Sequence, residues 1–226
     1  MHTSAYSSNL LCFYSCFLGF RRVRRDGNCF YRAFLFSYLE LVLEAFQQDD
    51  TKEKAEVELN RFRTVVVNSK DVLVNLGFSE FAFECFYDEL IELLNNLPTM
   101  SSSRLYDSFQ EGTGSPDEYT WFSRLLTSAN MRMQCDRFIP FLDDTAALTG
   151  DMVSYLQREV EPMGKECEQV HIIALTDFVG VRCIIENLDG HNFEGALSVF
   201  DTNEGGDPAF TVTLLYRPGH YDCIYK

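Results

Sequence analysis

An α+β domain, with a helical lobe followed by a mostly antiparallel carboxyl-terminal sheet, is predicted by three features of the sequence. Apolar residues recur at three- and four-residue spacing through most of residues 29 to 179. β-branched and aromatic runs dominate after that point. No Pro-, Gly- or Ser-rich linker separates the two textures, so both are expected to share one core. With 226 residues, 46% of them hydrophobic, the chain can bury that core without a second domain.

The elements follow in order. Phe30, Ala33, Phe34, Tyr38, Leu41, Val42 and Ala45 mark a helix from Cys29 to about Phe46, with Asp26, Gly27 and Asn28 as turn and cap material before it. Residues 52–67 and 79–97 read as two more helices, divided at Gly77 and stopped by Pro98. A shorter helical piece over 101–110 leads through Gly112 and Gly114 to Ser115, Pro116 and Glu118. Ser at the cap, Pro at the first helical position and Glu three residues after Ser predict a capping box. The helix it opens runs to about Met133, with Trp121, Phe122, Leu125 and Leu126 toward the core. Another helix follows Gly150 and breaks at Pro162, and a short one covers His171 to Val179. Residues 181–187, 210–216 and 221–225 are the expected strands, the last two joined by a turn at Pro218 and Gly219.

A formal net charge of −15 excludes nucleic acid and anionic membrane as main partners, since affinity for both comes from Lys and Arg. The eight cysteines are scattered without a CxxC pair, which argues against a disulfide framework or a zinc site and for reduced thiols. The apolar run 9–20 is too short to span a bilayer comfortably. It is followed rather than preceded by basic residues, Arg21, Arg22, Arg24 and Arg25, so it reads as part of the fold or an aberrant start, not a secretory signal. Residues 1–21 are therefore set apart as an uncertain amino-terminal segment, and 22–226 as the functional domain.

Two segments can carry chemistry. Cys29 follows Gly27 and opens a helix whose free N–H groups and dipole favour thiolate and can hold an oxyanion. A buried structural cysteine is the competing reading. Of the four histidines, His2 lies in the amino-terminal segment, His191 in a polar loop, and His171 begins an apolar run that suits a hydrogen-bonded structural role. His220 enters a strand with Asp222 two residues on, so both side chains fall on one face and the carboxylate can orient the imidazole. Without a thiol nearby the pair would be an ordinary polar pair on a strand.

The stretch Asp26 to Phe34 (DGNCFYRAF) together with Tyr216 to Tyr225 (YRPGHYDCIY) resembles the ovarian-tumour (OTU) superfamily of cysteine deubiquitinases, specifically its otubain branch. Residues 124–129, 159–163 and 171–175 resemble otubain segments in the same order, so the likeness runs from about residue 22 to 226. It implies a papain-like OTU protease domain that hydrolyses isopeptide bonds at the ubiquitin carboxyl-terminal glycine. It also implies Cys29 as nucleophile, His220 as general base and then acid, and Asp222 as the group orienting it. Asp26 is implied as a site residue beside an oxyanion loop of Asp26, Gly27, Asn28 and Cys29. The segment with Glu166, Glu168, Gln169 and His171 is implied to contact ubiquitin.

Ubiquitin and polyubiquitin chains are thus the expected partners, with ubiquitin-conjugating enzymes beside them. No metal or organic cofactor is required. A monomer in the cytoplasm, and also the nucleus, is the expected setting. The rival class is a non-catalytic module that binds ubiquitin and conjugating enzymes and blocks transfer by occupancy. Only 25 residues precede Asp26, and their apolar composition differs from the longer arm otubains carry there.

Overall fold

The computed structural model describes residues 18–112, 114–142, 144–188, 198–202 and 208–225. Most of the apolar run 9–20, His2 and His191 lie outside them. The chain begins with strand β1 (Gly19–Arg21), then helices α1 (Cys29–Phe46), α2 (Lys52–Asn75), α3 (Glu80–Asn96), α4 (Ser102–Ser108) and α5 (Pro116–Met133). Short helices α6 (Cys135–Phe138) and α7 (Asp144–Thr149) precede α8 (Met152–Glu159) and α9 (Gln169–Val179). Strands β2 (Cys183–Asn187), β3 (Ser198–Asp201), β4 (Val212–Arg217) and β5 (His220–Tyr225) complete the fold. The sheet order is β1-β5-β4-β2-β3, antiparallel except for the β2–β4 pair. Helices ahead of a mostly antiparallel sheet is the α+β layout the sequence predicts. No helix among the described residues is long and apolar enough to cross a membrane.

Helix α1 is the centre of the core. It lies between α2 and the strands β4 and β5, so it is buried almost all round rather than on one face: Phe30, Tyr31, Ala33, Tyr38, Leu39 and Val42 are all at 0% exposure. Phe30 meets Tyr221 of β5 edge-on at 5.4 Å between ring centroids, which sets the start of the helix against the last strand. A second, smaller core under α8 and α9 joins Met131, Tyr155, Leu156 and Val160.

Several expectations are corrected. Helix α2 continues past 67 to Asn75, because Leu59, Phe62, Val66, Ser69 and Leu73 extend its buried stripe. Ser115 makes no capping bond; its hydroxyl donates to the Glu89 carboxylate at 2.7 Å, a partner 26 residues away. The capping box that does form is at α9, where Glu168 and His171 cap reciprocally. Trp121 is 40% exposed and stacks on Phe86 at 4.7 Å instead of entering the core. Strands β1 and β3 are short edge pieces with too little alternation to announce themselves.

Strand β1 also brings residues before the expected domain start at 22 into the sheet. Arg21 holds it there: its Nε–H donates to the Tyr225 hydroxyl at 2.8 Å and a terminal N–H to Glu40 at 3.2 Å, while the guanidinium lies 5.0 and 4.8 Å from the Phe36 and Tyr106 ring centres.

Candidate active site

Cys29 is the first residue of α1, and its position depends on the loop before it. Gly27 has φ 77°, and a Cβ there would stand 2.1 Å from the Gly164 carbonyl oxygen, so only glycine fits. Asn28 does not cap the helix with its side chain; its Oδ1 turns inward and accepts from the Gly164 N–H at 2.9 Å and from Arg124. The Asn28 N–H donates to Asp26 Oδ1 at 3.0 Å. Asp26 in turn takes both terminal nitrogens of Arg32, at 3.1 and 3.0 Å, and Arg24 Nε at 2.7 Å. Burial would raise the Asp26 carboxyl, but Arg32, the Asn28 N–H and Arg24 overcome it and hold the group at about 2. Asp26 is therefore an anionic brace for the loop, with no free proton to give at neutral pH.

The thiol is buried, at 6% exposure. Burial pushes its pKa up, against the hydrogen-bonding influence of the Tyr221 and Phe30 backbone, so desolvation here opposes the local preference of a helix start for thiolate. The contact with the backbone of Tyr221, the residue that follows His220, places the thiol beside β5.

His220 and Asp222 form the other half. His220 Nε2 lies 2.9 Å from Asp222 Oδ1, with side-chain exposures of 2% and 0%. The same Oδ1 accepts the Val23 N–H at 2.9 Å, and Arg217 pairs with Oδ2. Oδ1 therefore faces Nε2 as an acceptor, which puts the imidazole proton on Nε2. His220 Nδ1 is buried and has no hydrogen-bond partner among the described residues, so its lone pair is available. The i, i+2 pair is thus a buried, oriented base.

A groove of about 610 Å³ opens over Cys29 and is lined also by Glu166, Glu168, Gln169, Tyr216 and Gly219. Gly219, at φ 72°, keeps the turn into β5 close to Glu166. His171 does not reach this groove. It is 1% exposed, with Nδ1 accepting the Glu168 N–H at 3.1 Å and Nε2 2.8 Å from the Tyr155 hydroxyl. The implied ubiquitin contact at His171 is corrected accordingly: the residue shapes the wall from behind. Sequence reasoning gave Arg124 and Val23 no role. Val23 acts through its backbone, which no side-chain pattern can reveal.

A thiol under a groove, a buried imidazole with one free nitrogen, and a carboxylate fixing its tautomer define a cysteine hydrolase. The family model of peptidase C65, the otubains, matches residues 3–226, and the chain belongs to that family. It is 39% identical over 207 residues to human "Ubiquitin thioesterase OTUB1", covering 91% of this chain and 70% of that protein. To the Arabidopsis thaliana "OVARIAN TUMOR DOMAIN-containing deubiquitinating enzyme 1" it is 35% identical over 227 residues, 93% of this chain and 71% of that one. Among solved structures it resembles the ceOTUB1 ubiquitin aldehyde UBC13~Ub complex, with TM-score 0.83, 29% identity, and 99% of this chain and 85% of that chain covered. The structure of h/ceOTUB1-ubiquitin aldehyde-UBCH5B~Ub is similar to the same degree, with TM-score 0.83 at 30% identity over 99% of this chain and 82% of that one.

Proposed function

We infer that the protein is a deubiquitinating cysteine peptidase that hydrolyses isopeptide bonds at the ubiquitin carboxyl-terminal glycine. The observation that carries this reading is the buried His220–Asp222 pair on the strand whose backbone touches the Cys29 thiol. The thiol starts neutral and passes its proton to His220 Nδ1 as substrate fills the groove. Sulfur then bonds to the glycine carbonyl carbon, and the carbonyl electrons move to oxygen. Asp222 stabilises the imidazolium that results. Collapse of the tetrahedral intermediate breaks the C–N bond, and Nδ1–H protonates the leaving lysine amine. Water attacks the thioester with His220 as base, ubiquitin leaves with a free carboxylate, and the thiol regains its proton.

Glu166 and Glu168 line the groove and suit a basic peptide tail. A thiol nucleophile of this kind belongs in a reducing compartment, which supports a cytoplasmic and nuclear setting. Similarity to complexes holding UBC13~Ub and UBCH5B~Ub supports ubiquitin-charged conjugating enzymes as further partners.

A ubiquitin probe carrying a carboxyl-terminal electrophile tests the reading. The expected result is a covalent adduct mapped to Cys29 by mass spectrometry, absent in Cys29→Ala although that variant still binds ubiquitin. A folded protein that binds ubiquitin without forming an adduct would instead be the inhibitory binding module.

A further inference from the structure

Arg124, on α5, is 0% exposed, and among the described residues no carboxylate pairs with it. Its donors are spent on oxygens of two loops. Nε–H and a terminal N–H donate to Asn28 Oδ1 at 3.2 and 2.7 Å, and the same terminal nitrogen reaches the Gly27 carbonyl at 3.0 Å and the Lys165 carbonyl at 2.6 Å. The other terminal nitrogen donates to the Val160 carbonyl at 2.9 Å. The guanidinium face lies 4.5 Å from the Tyr31 ring centre. A buried cation is costly, and a structure that retains one here uses all of its fork.

The geometry ties the guanidinium to the reacting centre at two points. The peptide between Gly27 and Asn28 is pinned at both ends, its carbonyl by Arg124 and its N–H by Asp26. A peptide held in this way cannot rotate to present its carbonyl oxygen, a negative dipole end, beside the thiol. The second point is the 160–165 segment, which Arg124 holds through Val160 and Lys165 and which leads directly into the groove wall at Glu166.

We propose that Arg124 is a positioning residue for the reaction: it fixes the loop preceding Cys29 in the orientation the oxyanion requires, and it sets the distance from that loop to the opposite wall of the groove. The proposal rests on the peptidase reading above. Lysine cannot replace the fork, because one ammonium cannot span Asn28, Gly27, Val160 and Lys165 together.

The test compares wild type, Arg124→Lys and Asn28→Ala in three measurements: steady-state hydrolysis of a fluorogenic ubiquitin carboxyl-terminal amide, alkylation of Cys29 by iodoacetamide, and thermal melting. Alkylation consumes the thiolate but develops no oxyanion, so it reports the nucleophile without the loop's stabilising role. Arg124→Lys is expected to lower kcat about 100-fold while KM and the alkylation rate stay within about threefold. Asn28→Ala, which removes one acceptor and no buried charge, is expected to show the same split at smaller size, and it decides the matter if Arg124→Lys does not fold. An unchanged kcat overturns the proposal. So does a loss of alkylation in parallel with kcat, which would mean that the guanidinium only holds the core together. A wild type without turnover overturns the ubiquitin reading and this role with it, whereas active wild type with equally active variants overturns this role alone.

Discussion

His220 Nε2 and Asp222 Oδ1 stand 2.9 Å apart on one face of β5, and the oxygen they share with the Val23 N–H is the one that fixes the imidazole tautomer. Asp222→Asn should therefore be a mild change. The Val23 N–H demands an acceptor where Oδ1 sits, so the amide oxygen stays there, and its NH2 displaces the Arg217 guanidinium, whose side chain is 36% exposed and can turn to water. The imidazole keeps its Nε2 proton and loses the stabilising charge, while the carboxyl position loses its pair with Arg217. A fall of about tenfold in kcat/KM is expected, far short of the ~10⁴ seen when an amide presents the wrong tautomer. Steady-state kinetics against the fluorogenic substrate checks it.

The raised thiol pKa makes a prediction about the free enzyme. Because burial disfavours the thiolate, little of it exists at neutral pH, and its fraction grows as pH rises. Iodoacetamide alkylation of Cys29 should accelerate throughout the alkaline range. A rate already at its plateau at pH 7 would show a preformed thiolate–imidazolium pair.

Gly27→Ala should inactivate and destabilise together. A Cβ at φ 77° costs about 1–2 kcal/mol from backbone strain alone. The 2.1 Å approach to the Gly164 oxygen then forces the two loops apart. Urea denaturation is expected to show a loss larger than the strain figure, and the ubiquitin probe to show little or no adduct.

His171 makes stability depend on pH. Burial, then the nearby Arg124 charge, lower its pKa from 6.5 to about 4. The folded protein refuses a proton that the unfolded chain accepts below 6.5. The stability associated with this group is therefore full above pH 6.5, declines as pH falls toward 4, and levels off below that, a loss of about 3 kcal/mol. In urea titrations His171→Gln should lower stability at pH 7 and flatten the decline between pH 6.5 and 4.

Arg21→Ala should weaken the sheet edge. It leaves Glu40, a buried carboxylate, without its cation and removes the hydrogen bond to Tyr225. A loss of about 2 kcal/mol is expected from denaturant unfolding. Loosening β1 also loosens Val23, so a modest fall in kcat should accompany it.

The α+β layout, the helix beginning at Cys29, and the placing of His220 and Asp222 on one face were legible in the sequence, because each follows from chemistry repeated within a few residues: helical spacing, strand alternation, and a glycine where the backbone must turn left-handed. Only the tertiary structure decided the rest. Arg124 meets Asn28 across 96 residues, and the Val23 N–H meets Asp222 across 199. Ser115 bonds Glu89 instead of its own helix, and His171 turns inward to Tyr155. The resting state of the Cys29 thiol belongs with these, since a helix start favours thiolate locally while the desolvation that outweighs it comes from everything packed above. Periodicity and local geometry are properties of neighbouring residues, whereas burial and long-range hydrogen bonding exist only once distant segments have been brought together.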